Sequence, residues 1–377
     1  MVTTLTDTSF VSLPDFFTLL SNPLVLISIL LSLGVVFVNG WTDSPNSVAT
    51  AISTRAIPAR QAVILSAIFN LIGCVVFSLF TVNVANSVFN IVTFKDLSSV
   101  SAAHSALFAM IGALIAVIAW GVLCWAFGIP SSQSHSLVAG LTGGCLALMV
   151  KGISAVPGGA SWMDVGIGFF ASGGMGLLLG FLVTKLIQVI CKNMARHKTT
   201  IFFKRAQIVA ACGMSVAHGA QDGIKFVGLI YMVLYLGAKA MPNSTLSLTA
   251  SISPFYLTPN FLYLPVLVGL VIALGTSIGG YRIIKKVGMG MVALEPYEGF
   301  VTDVAAFIAL LVSTLFGWPV STGQVKTFSI IGVGVTKGVH KVNWRSARDV
   351  VLGCVFTFPG CILVGFVITL ILLWIPV

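Results

Sequence analysis

Residues 39–46 read Asn-Gly-Trp-Thr-Asp-Ser-Pro-Asn, and residues 218–225 read His-Gly-Ala-Gln-Asp-Gly-Ile-Lys. Each stretch has a glycine three positions before its aspartate and a polar residue three positions after it, and each interrupts a long apolar run. A charged side chain at the centre of a membrane helix costs about 3 kcal/mol unless it is solvated, paired or neutralised, so it usually has a function. We therefore take Asp43 and Asp222 as candidate functional residues; the alternative is a pair of carboxylates in exposed loops.

The chain around these motifs has the composition of a membrane protein. Its 377 residues are 57% hydrophobic and 8% charged, with a mean hydropathy of +1.06, whereas soluble domains are about 25% charged. The net charge of +10 comes from short basic clusters between apolar runs, which is typical of cytoplasmic loops and not of a nucleic-acid-binding surface. Scattered cysteines without a CxxC pair disfavour a disulfide or zinc framework. Nucleotide-binding and nucleophile motifs are lacking too, so we expect neither an enzyme nor a cofactor.

Runs of about 20 apolar residues, the length that crosses a bilayer core as a helix, predict about ten membrane elements. They lie near 17–54, 61–81, 104–127, 129–150, 164–190, 206–236, 261–281, 299–316, 318–336 and 350–376. The first, fourth, sixth and ninth are rich in Gly, Pro, Ser and Thr, so we expect them to be broken or re-entrant helices. The sequence thus predicts an all-α, polytopic protein embedded in a lipid bilayer.

Basic clusters orient these elements across the membrane. They lie near 55–60, 192–205, 282–286 and 337–348. Placing all four in the cytoplasm, as the positive-inside rule requires, is consistent with an alternating path through the ten elements. Both termini then lie outside, and the first five elements run in the opposite orientation to the last five.

A second pair of motifs indicates that the halves are related. Residues 128–135 read Gly-Ile-Pro-Ser-Ser-Gln-Ser-His, and residues 317–324 read Gly-Trp-Pro-Val-Ser-Thr-Gly-Gln. Their prolines follow Asp43 by 87 residues and Asp222 by 97. Recurrence in the same order, with opposite orientation, predicts two inverted-topology repeats, a common transporter architecture; chance recurrence of helix breaks is the alternative. The predicted first inverted repeat, basic cytoplasmic linker and second inverted repeat are 17–190, 191–205 and 206–377.

The polar residues that follow the aspartates suggest two kinds of ion site. Asn46 and Lys225 lie at i+3, so each shares a helical face with its aspartate. A carboxylate–amide pair suits a small cation such as Na⁺, whereas a carboxylate–ammonium pair suits an anion or tunes a proton-carrying carboxylate. The candidates for the coupling-cation site are Asp43, Asn46, Asp222, Asn39 and Asp303.

The downstream motifs favour an anion site. Proline stops or starts a helix, and a helix N-terminus at membrane depth presents free N–H groups with a positive partial charge. Hydroxyls beside it add neutral donors, which suit an oxyanion that must be released again; capped serines in a kinked helix are the alternative. Lys326, one turn later, either holds the anion or snorkels to the interface, and we interpret His135 and His218 as packing residues. The candidates for substrate binding are Ser132, Gln133, Ser134, Ser321, Thr322 and Lys225.

These four motifs resemble the signature segments of the inorganic phosphate transporter family, the Pit family. Those segments read approximately Gly-x-x-Asp-x-Ala-Asn, with Pro-x-Ser-Thr-Thr-His downstream in each half. The run at 54–56 and the segment at 355–359 are similar to the bacterial low-affinity branch, and the resemblance covers essentially the whole chain in order. It implies cation-coupled symport of inorganic phosphate, with Na⁺ or H⁺, by a multi-pass protein of the plasma membrane. It also suggests a homodimer.

The resemblance assigns roles to individual residues. It implies that Asp43, Asn46 and Asp222 line the transport site and that the hydroxyls of the downstream motifs contact phosphate; Asp43 and Asp222 would be metal ligands only if the coupling ion is Na⁺. This chain departs from the family pattern at four positions, which are Pro45, Gln221, Gly323 and Gln324. Because the last two remove a hydroxyl and a histidine from the second half, symport of another oxyanion such as sulfate, or an anion channel, stays open as an alternative.

Overall fold

The computed structural model describes residues 11–94, 97, 99–129, 132–153, 155–241, 248 and 261–375. Within these ranges the chain is a bundle of helices with one small antiparallel sheet, β1 (Val92–Phe94) and β2 (Ala155–Pro157), in which Val92 lies opposite Pro157. The helices are α1 (Leu13–Leu19), α2 (Pro23–Thr42), α3 (Ala49–Ser53), α4 (Ala59–Ser78), α5 (Asn83–Phe89), α6 (Val100–Ala126), α7 (Gln133–Val150), α8 (Gly159–Ile190), α9 (Arg196–Ala240), α10 (Tyr263–Ile278), α11 (Tyr281–Met289), α12 (Pro296–Phe316), α13 (Thr322–Lys337) and α14 (Trp344–Leu372). Two 3₁₀ helices are Ser44–Ser47 and Val339–Lys341.

Seven helical segments in the described ranges are long and apolar enough to cross a membrane, and α10 is a shorter apolar helix. Large apolar side chains such as Leu30, Phe170 and Leu363 are exposed on the outside of the bundle, where a lipid environment accommodates them. The prediction of an all-α, polytopic membrane protein is confirmed. Each of the ten predicted elements corresponds to a helix or a broken helix, whereas the inverted relation between the halves stays a prediction.

The first predicted element is broken at its aspartate. α2 ends at Thr42, and Pro45 lies in the 3₁₀ helix that connects it to α3. Proline lacks the backbone N–H that a continuing α-helix needs, and its ring clashes with the preceding turn. This break places the buried Asp43 at a helix end, and the prediction that the first element is broken is confirmed.

The sixth predicted element is not broken, and that prediction was wrong. α9 runs for 45 residues through the motif at 218–225 without interruption. It contains glycines but no proline; each glycine costs a helix only about 1 kcal/mol and removes no hydrogen bond. Because α9 begins at Arg196, residues 196–205 of the predicted linker are helical.

Two half-helices start at the hydroxyl motifs. α7 follows α6 with Ser132 as its N-cap, and α13 follows α12 with Ser321 as its N-cap. Pro130, where the sequence predicts that a helix stops or starts ahead of α7, lies outside the described residues. α7 packs on α6 and α14, and α13 packs on α8 and α12. These contacts place both helix starts inside the bundle, where water does not reach them.

Glycines bring α4 and α9 into backbone contact. A methyl group on Gly219 of α9 would overlap the carbonyl oxygen of Asn70, and one on Gly73 of α4 would overlap that of Val216. The close approach allows Asn70 Oδ1 and His218 Nδ1 to form a hydrogen bond of 2.9 Å between the two helices. Small residues therefore position the polar face of α9 that carries Asp222.

We expect Gly219→Ala to destabilise the protein, because the methyl group forces α4 and α9 apart and overpacking costs about 1–3 kcal/mol. The control is Gly174→Ala in α8, where an added methyl group meets no atom within 4 Å and alanine favours the helix by about 1 kcal/mol. Thermal unfolding of both variants in detergent should show a lower midpoint for the first and an unchanged or higher midpoint for the second. Equal midpoints would contradict this account of the contact.

Candidate functional site

The two motif aspartates lie together in the centre of the bundle. Asp43, His218 and Asp222 are buried, and one potential ligand atom from each lies within 4.8 Å of the other two. Asp43 comes from the break after α2, whereas the other two lie one turn apart on α9. The sequence suggests a packing role for His218, whereas the structure places it in this cluster; its i, i+4 spacing from Asp222 is the signal that puts both on one helical face.

Hydrogen bonds orient the histidine and the two aspartates. Asn46 Nδ2 donates to Asp43 Oδ1 at 2.7 Å, and Asn39 Nδ2 donates to Asp222 Oδ2 at 3.0 Å. Asn70 Oδ1 accepts from His218 Nδ1, so the neutral ring presents a lone pair at Nε2. That nitrogen lies 3.4 Å from Asp222 Oδ2. Two acceptors at this distance are satisfied by a proton or a cation between them.

Lys225 has all its protons engaged. Its Nζ donates to Asp222 Oδ1 at 2.7 Å, to the carbonyl oxygen of Val320 at 2.9 Å, and to Ser134 Oγ. An ammonium group has three N–H donors, so an anion reaches Lys225 only by displacing one of these acceptors. The lysine neutralises Asp222 and joins α9 to the start of α7 and to the segment before α13.

The two half-helix N-termini converge beside this ion pair. Ser134, in the first turn of α7, donates through Oγ to the carbonyl oxygen of Val320 at 3.1 Å, just before α13. Ser132 Oγ accepts from the N–H of His135, and Ser321 Oγ accepts from the N–H of Gln324. Both capping serines therefore keep a hydroxyl proton to donate. The positive ends of two helices and two hydroxyl donors face one region.

Several site residues carry a buried polar atom that forms no hydrogen bond among the described residues. Buried polar atoms are nearly always paired, and leaving one unpaired costs about 1–3 kcal/mol. Carboxylate and amide oxygens suit a hard cation, while a threonine hydroxyl also donates to an anion. The site thus has unused groups of both kinds, which are Asn39 Oδ1, Asp43 Oδ2, Asn46 Oδ1, Gln133 Oε1 and Thr322 Oγ1.

The departures from the family pattern have structural roles. A methyl group on Gly323 would lie 3.2 Å from Asp43 Oδ1 and 3.1 Å from Asn46 Nδ2, so glycine lets the start of α13 approach the carboxylate. Gln221 Nε2 donates to the carbonyl oxygen of Trp318 at 2.7 Å, which fixes the segment before α13. Gln324 Nε2 donates to the carbonyl oxygen of Phe169 on α8 at 3.2 Å.

Asp303 lies in a separate network. Among the described residues its carboxylate bonds to Lys326 Nζ and accepts from Thr50 Oγ1 at 2.7 Å, and none of these groups contacts Asp43 or Asp222. The structure therefore does not bring Asp303 into the central cluster. Lys326 is fully buried, so it pairs with Asp303 and does not snorkel. His135 packs between the rings of Phe169 and Phe358, at centroid distances of 5.4 and 5.0 Å.

Comparison with known proteins places this geometry among transporters. A family model described as the phosphate transporter family matches residues 39–365. A probable low-affinity inorganic phosphate transporter of Bacillus subtilis (strain 168) is 30% identical over 336 residues, which cover 89% of this chain and 93% of that protein. One of Rhizobium meliloti (strain 1021) is 32% identical over 357 residues, 92% and 96% of the two chains. A solved structure named "The sodium-dependent phosphate transporter" shares the fold, with a TM-score of 0.78 over 94% of this chain and 100% of its own, at 21% identity.

We expect Lys225→Met to lower the stability of the protein, because it leaves Asp222 as a buried charge without a cationic partner. Removing one partner of a buried ion pair typically costs about 3–5 kcal/mol. The double variant Lys225→Met/Asp222→Asn removes both charges and should recover most of the loss. Thermal unfolding in detergent measures this, with Lys285→Met on the surface as the control for a lost lysine. A double variant no more stable than the single one would show that the loss does not come from the unpaired charge of Asp222.

Proposed function

This chain belongs to the phosphate transporter family, and we propose that it carries inorganic phosphate across the plasma membrane by symport with a cation, Na⁺ or H⁺. The relatives in Bacillus subtilis and Rhizobium meliloti are named as transporters, so the chain is a transporter and not an enzyme. The observation that carries the proposal is the convergence of two half-helix N-termini on a buried cluster of carboxylates.

The hydroxyls of Ser132, Ser321 and Thr322 are the proposed direct donors to phosphate. They are neutral, so they hold an oxyanion without the full charge attraction that would slow its release. Gln133 borders the same region. Ser134 and Lys225 connect the helices around it, and they would bind phosphate only if phosphate replaced one of their present protein acceptors. This division of roles is supported by the hydrogen bonds that each residue already makes.

Phosphate fits the unused acceptors better than sulfate does. At neutral pH phosphate keeps at least one proton, which it donates to an acceptor that the cation does not use, such as Gln133 Oε1; sulfate has no proton to donate. A site built to bond a donor rejects an analogue that lacks it, because its own buried acceptors stay unpaired. The unpaired oxygens at this site therefore favour phosphate.

Asp43 is the proposed site of the exchangeable cation. Asp222, Glu298 and Asp303 each form an ion pair with a lysine, whereas the described residues offer Asp43 no lysine or arginine partner. Phosphate adds one or two negative charges beside this carboxylate, and like charges in a site of low dielectric repel strongly. A cation on Asp43, with Asn39 and Asn46 as further ligands, removes that repulsion. Each ligand then raises the affinity for the other, which is the basis of symport.

Packing supports alternating access between two inverted repeats, 17–190 and 206–377. α4 packs on α9 as α10 packs on α2, and α7 packs on α14 as α13 packs on α8. If the first repeat is superimposed on the second, the α4–α9 contact corresponds to the α10–α2 contact, and the α7–α14 contact corresponds to the α13–α8 contact. The site is buried on all sides, with Asp43 2% exposed, which favours a carrier with a closed state over a channel. The basic linker at 191–205 faces the cytoplasm in this proposal, and the homodimer implied by the family resemblance remains an expectation.

Uptake of radiolabelled phosphate by proteoliposomes tests the function. We expect uptake that needs a Na⁺ or proton gradient and that sulfate inhibits weakly. Asp43→Asn should abolish or weaken the cation dependence while leaving phosphate binding, because it deletes the charge that the cation neutralises. Couplings of this kind amount to about 5- to 150-fold in affinity, so the loss is measurable by titrating phosphate at several cation concentrations.

The control for Asp43→Asn is Asp349→Asn, a partly exposed carboxylate at the surface, which should behave as the unmodified protein does. Retention of the full cation dependence in Asp43→Asn would remove Asp43 from the coupling site. Phosphate flux without any gradient requirement would indicate a channel, and stronger transport of sulfate would change the substrate.

Ser132→Ala and Ser321→Ala should each weaken phosphate binding by about 10- to 150-fold, since one hydrogen bond to a charged group contributes about 1.5–3 kcal/mol. Both serines also cap helices, so Ser99→Ala, which removes the N-cap of α6, is the matched control for lost capping. It should lower stability by about 1 kcal/mol without changing phosphate affinity. Unchanged affinity in both Ser132→Ala and Ser321→Ala would exclude these hydroxyls from the site.

A further inference from the structure

A second buried lysine lies outside the central site. Lys326, in the second turn of α13, is completely shielded from solvent. Its Nζ bonds to Asp303 Oδ1 of α12 and to Thr50 Oγ1 of α3, the latter at 3.0 Å. Thr50 Oγ1 in turn donates to Asp303 Oδ1 at 2.7 Å. Two consecutive helices, α12 and α13, therefore meet the distant α3 at one ammonium nitrogen.

The ligands of Lys326 resemble those of a bound cation. A carboxylate oxygen and a hydroxyl oxygen surround the nitrogen, and Lys225 has a similar set in Asp222, Ser134 and the carbonyl oxygen of Val320. Hard cations prefer such oxygens. Asp303 Oδ2 is buried, and the side chain of Gln207 interacts with the same carboxylate.

We propose that Asp303 and Thr50 form a monovalent-cation site whose permanent occupant is the ammonium group of Lys326. The charge is attached to α13 and cannot exchange with solution. It holds the start of α13 against α3 and α12 in the way that a bound ion would, without drawing an ion from either side of the membrane. Asp303 therefore adds no exchangeable cation to the transport cycle, and the exchangeable cation binds in the central site around Asp43. This last consequence rests on the proposed function, whereas the occupied cation site does not.

If the proposal is right, the folded state of Lys326→Met is stabilised by a soluble cation that the unmodified chain does not need at this site. Methionine fills much of the volume of the lysine stem but carries no charge, so Asp303 and Thr50 remain as ligands without an occupant. A soluble cation that binds the folded state stabilises it by mass action. We expect the midpoint of thermal unfolding of Lys326→Met to rise saturably with Na⁺ or K⁺, relative to choline at equal ionic strength.

Two variants isolate the site. Lys326→Met/Asp303→Asn lacks both charges and should lose the response to Na⁺ and K⁺, and Lys285→Met, which removes an exposed lysine, should respond as the unmodified chain does. Because the unmodified chain binds a cation at Asp43 under the proposed function, the same comparison is made in an Asp43→Asn background. A response gained there by Lys326→Met cannot arise from the central site.

The experiment uses the full-length chain purified in detergent, with thermal unfolding and binding of radioactive Na⁺ as readouts. Neither readout needs phosphate transport, so a cation response gained by Lys326→Met supports the cation site even if the unmodified chain carries no phosphate, a result that would overturn the proposed function alone. If Lys326→Met is not recovered, Lys326→Ala is purified with methylammonium, which replaces the missing end of the side chain. The proposal is overturned if Na⁺, K⁺ and methylammonium stabilise neither single variant more than choline does while Lys326→Met/Asp303→Asn folds.

Discussion

The contact between the ammonium group of Lys225 and the carboxylate of Asp222 determines how charge is arranged at the centre of the protein. Two half-helix N-termini converge there, and each contributes a positive partial charge of about half a unit. With the lysine, they balance the two negative charges of Asp43 and Asp222. The protein's own groups are therefore close to neutral together. Under the proposed symport, the oxyanion adds negative charge that the coupling cation offsets, and this cation is needed because the site is already balanced, not because it is strongly negative.

The groups that remain free to bind phosphate in the proposed site are neutral donors, because Lys225 already donates all three of its N–H groups to protein oxygens. Although Lys225 lies beside the hydroxyl cluster, under the proposed function it therefore does not bind phosphate directly. The donors that remain are hydroxyl and backbone N–H groups at helix starts. In the proposed site such groups would bind phosphate with moderate strength, which suits a carrier that must release its substrate on the far side of the membrane.

The sequence predicts local features of the site better than its long-range contacts. The i+3 spacing of Asp43 and Asn46, and of Asp222 and Lys225, correctly predicts both hydrogen-bonded pairs, because helical geometry determines them. Pro45 likewise predicts the break after α2. The continuity of α9 was not predicted, because its glycines suggested a helix break. Glycine keeps its backbone N–H, whereas proline lacks it, so glycines alone do not interrupt the helix. Contacts between distant elements leave no local pattern, so neither the bond from Thr50 to Asp303 nor that from Asn70 to His218 was apparent.

α9 has one further consequence. Its 45 residues extend about 65–70 Å at 1.5 Å per residue, which is more than twice the thickness of a bilayer core of about 30 Å. Under the proposed alternating access, a displacement of Asp222 would move the basic end of this continuous helix as well. Asp43, in contrast, lies between the end of α2 and a 3₁₀ helix that contains Pro45, where the backbone can bend locally. The two aspartates therefore lie on a continuous and on a broken helix, and the two proposed repeats would open by different local movements.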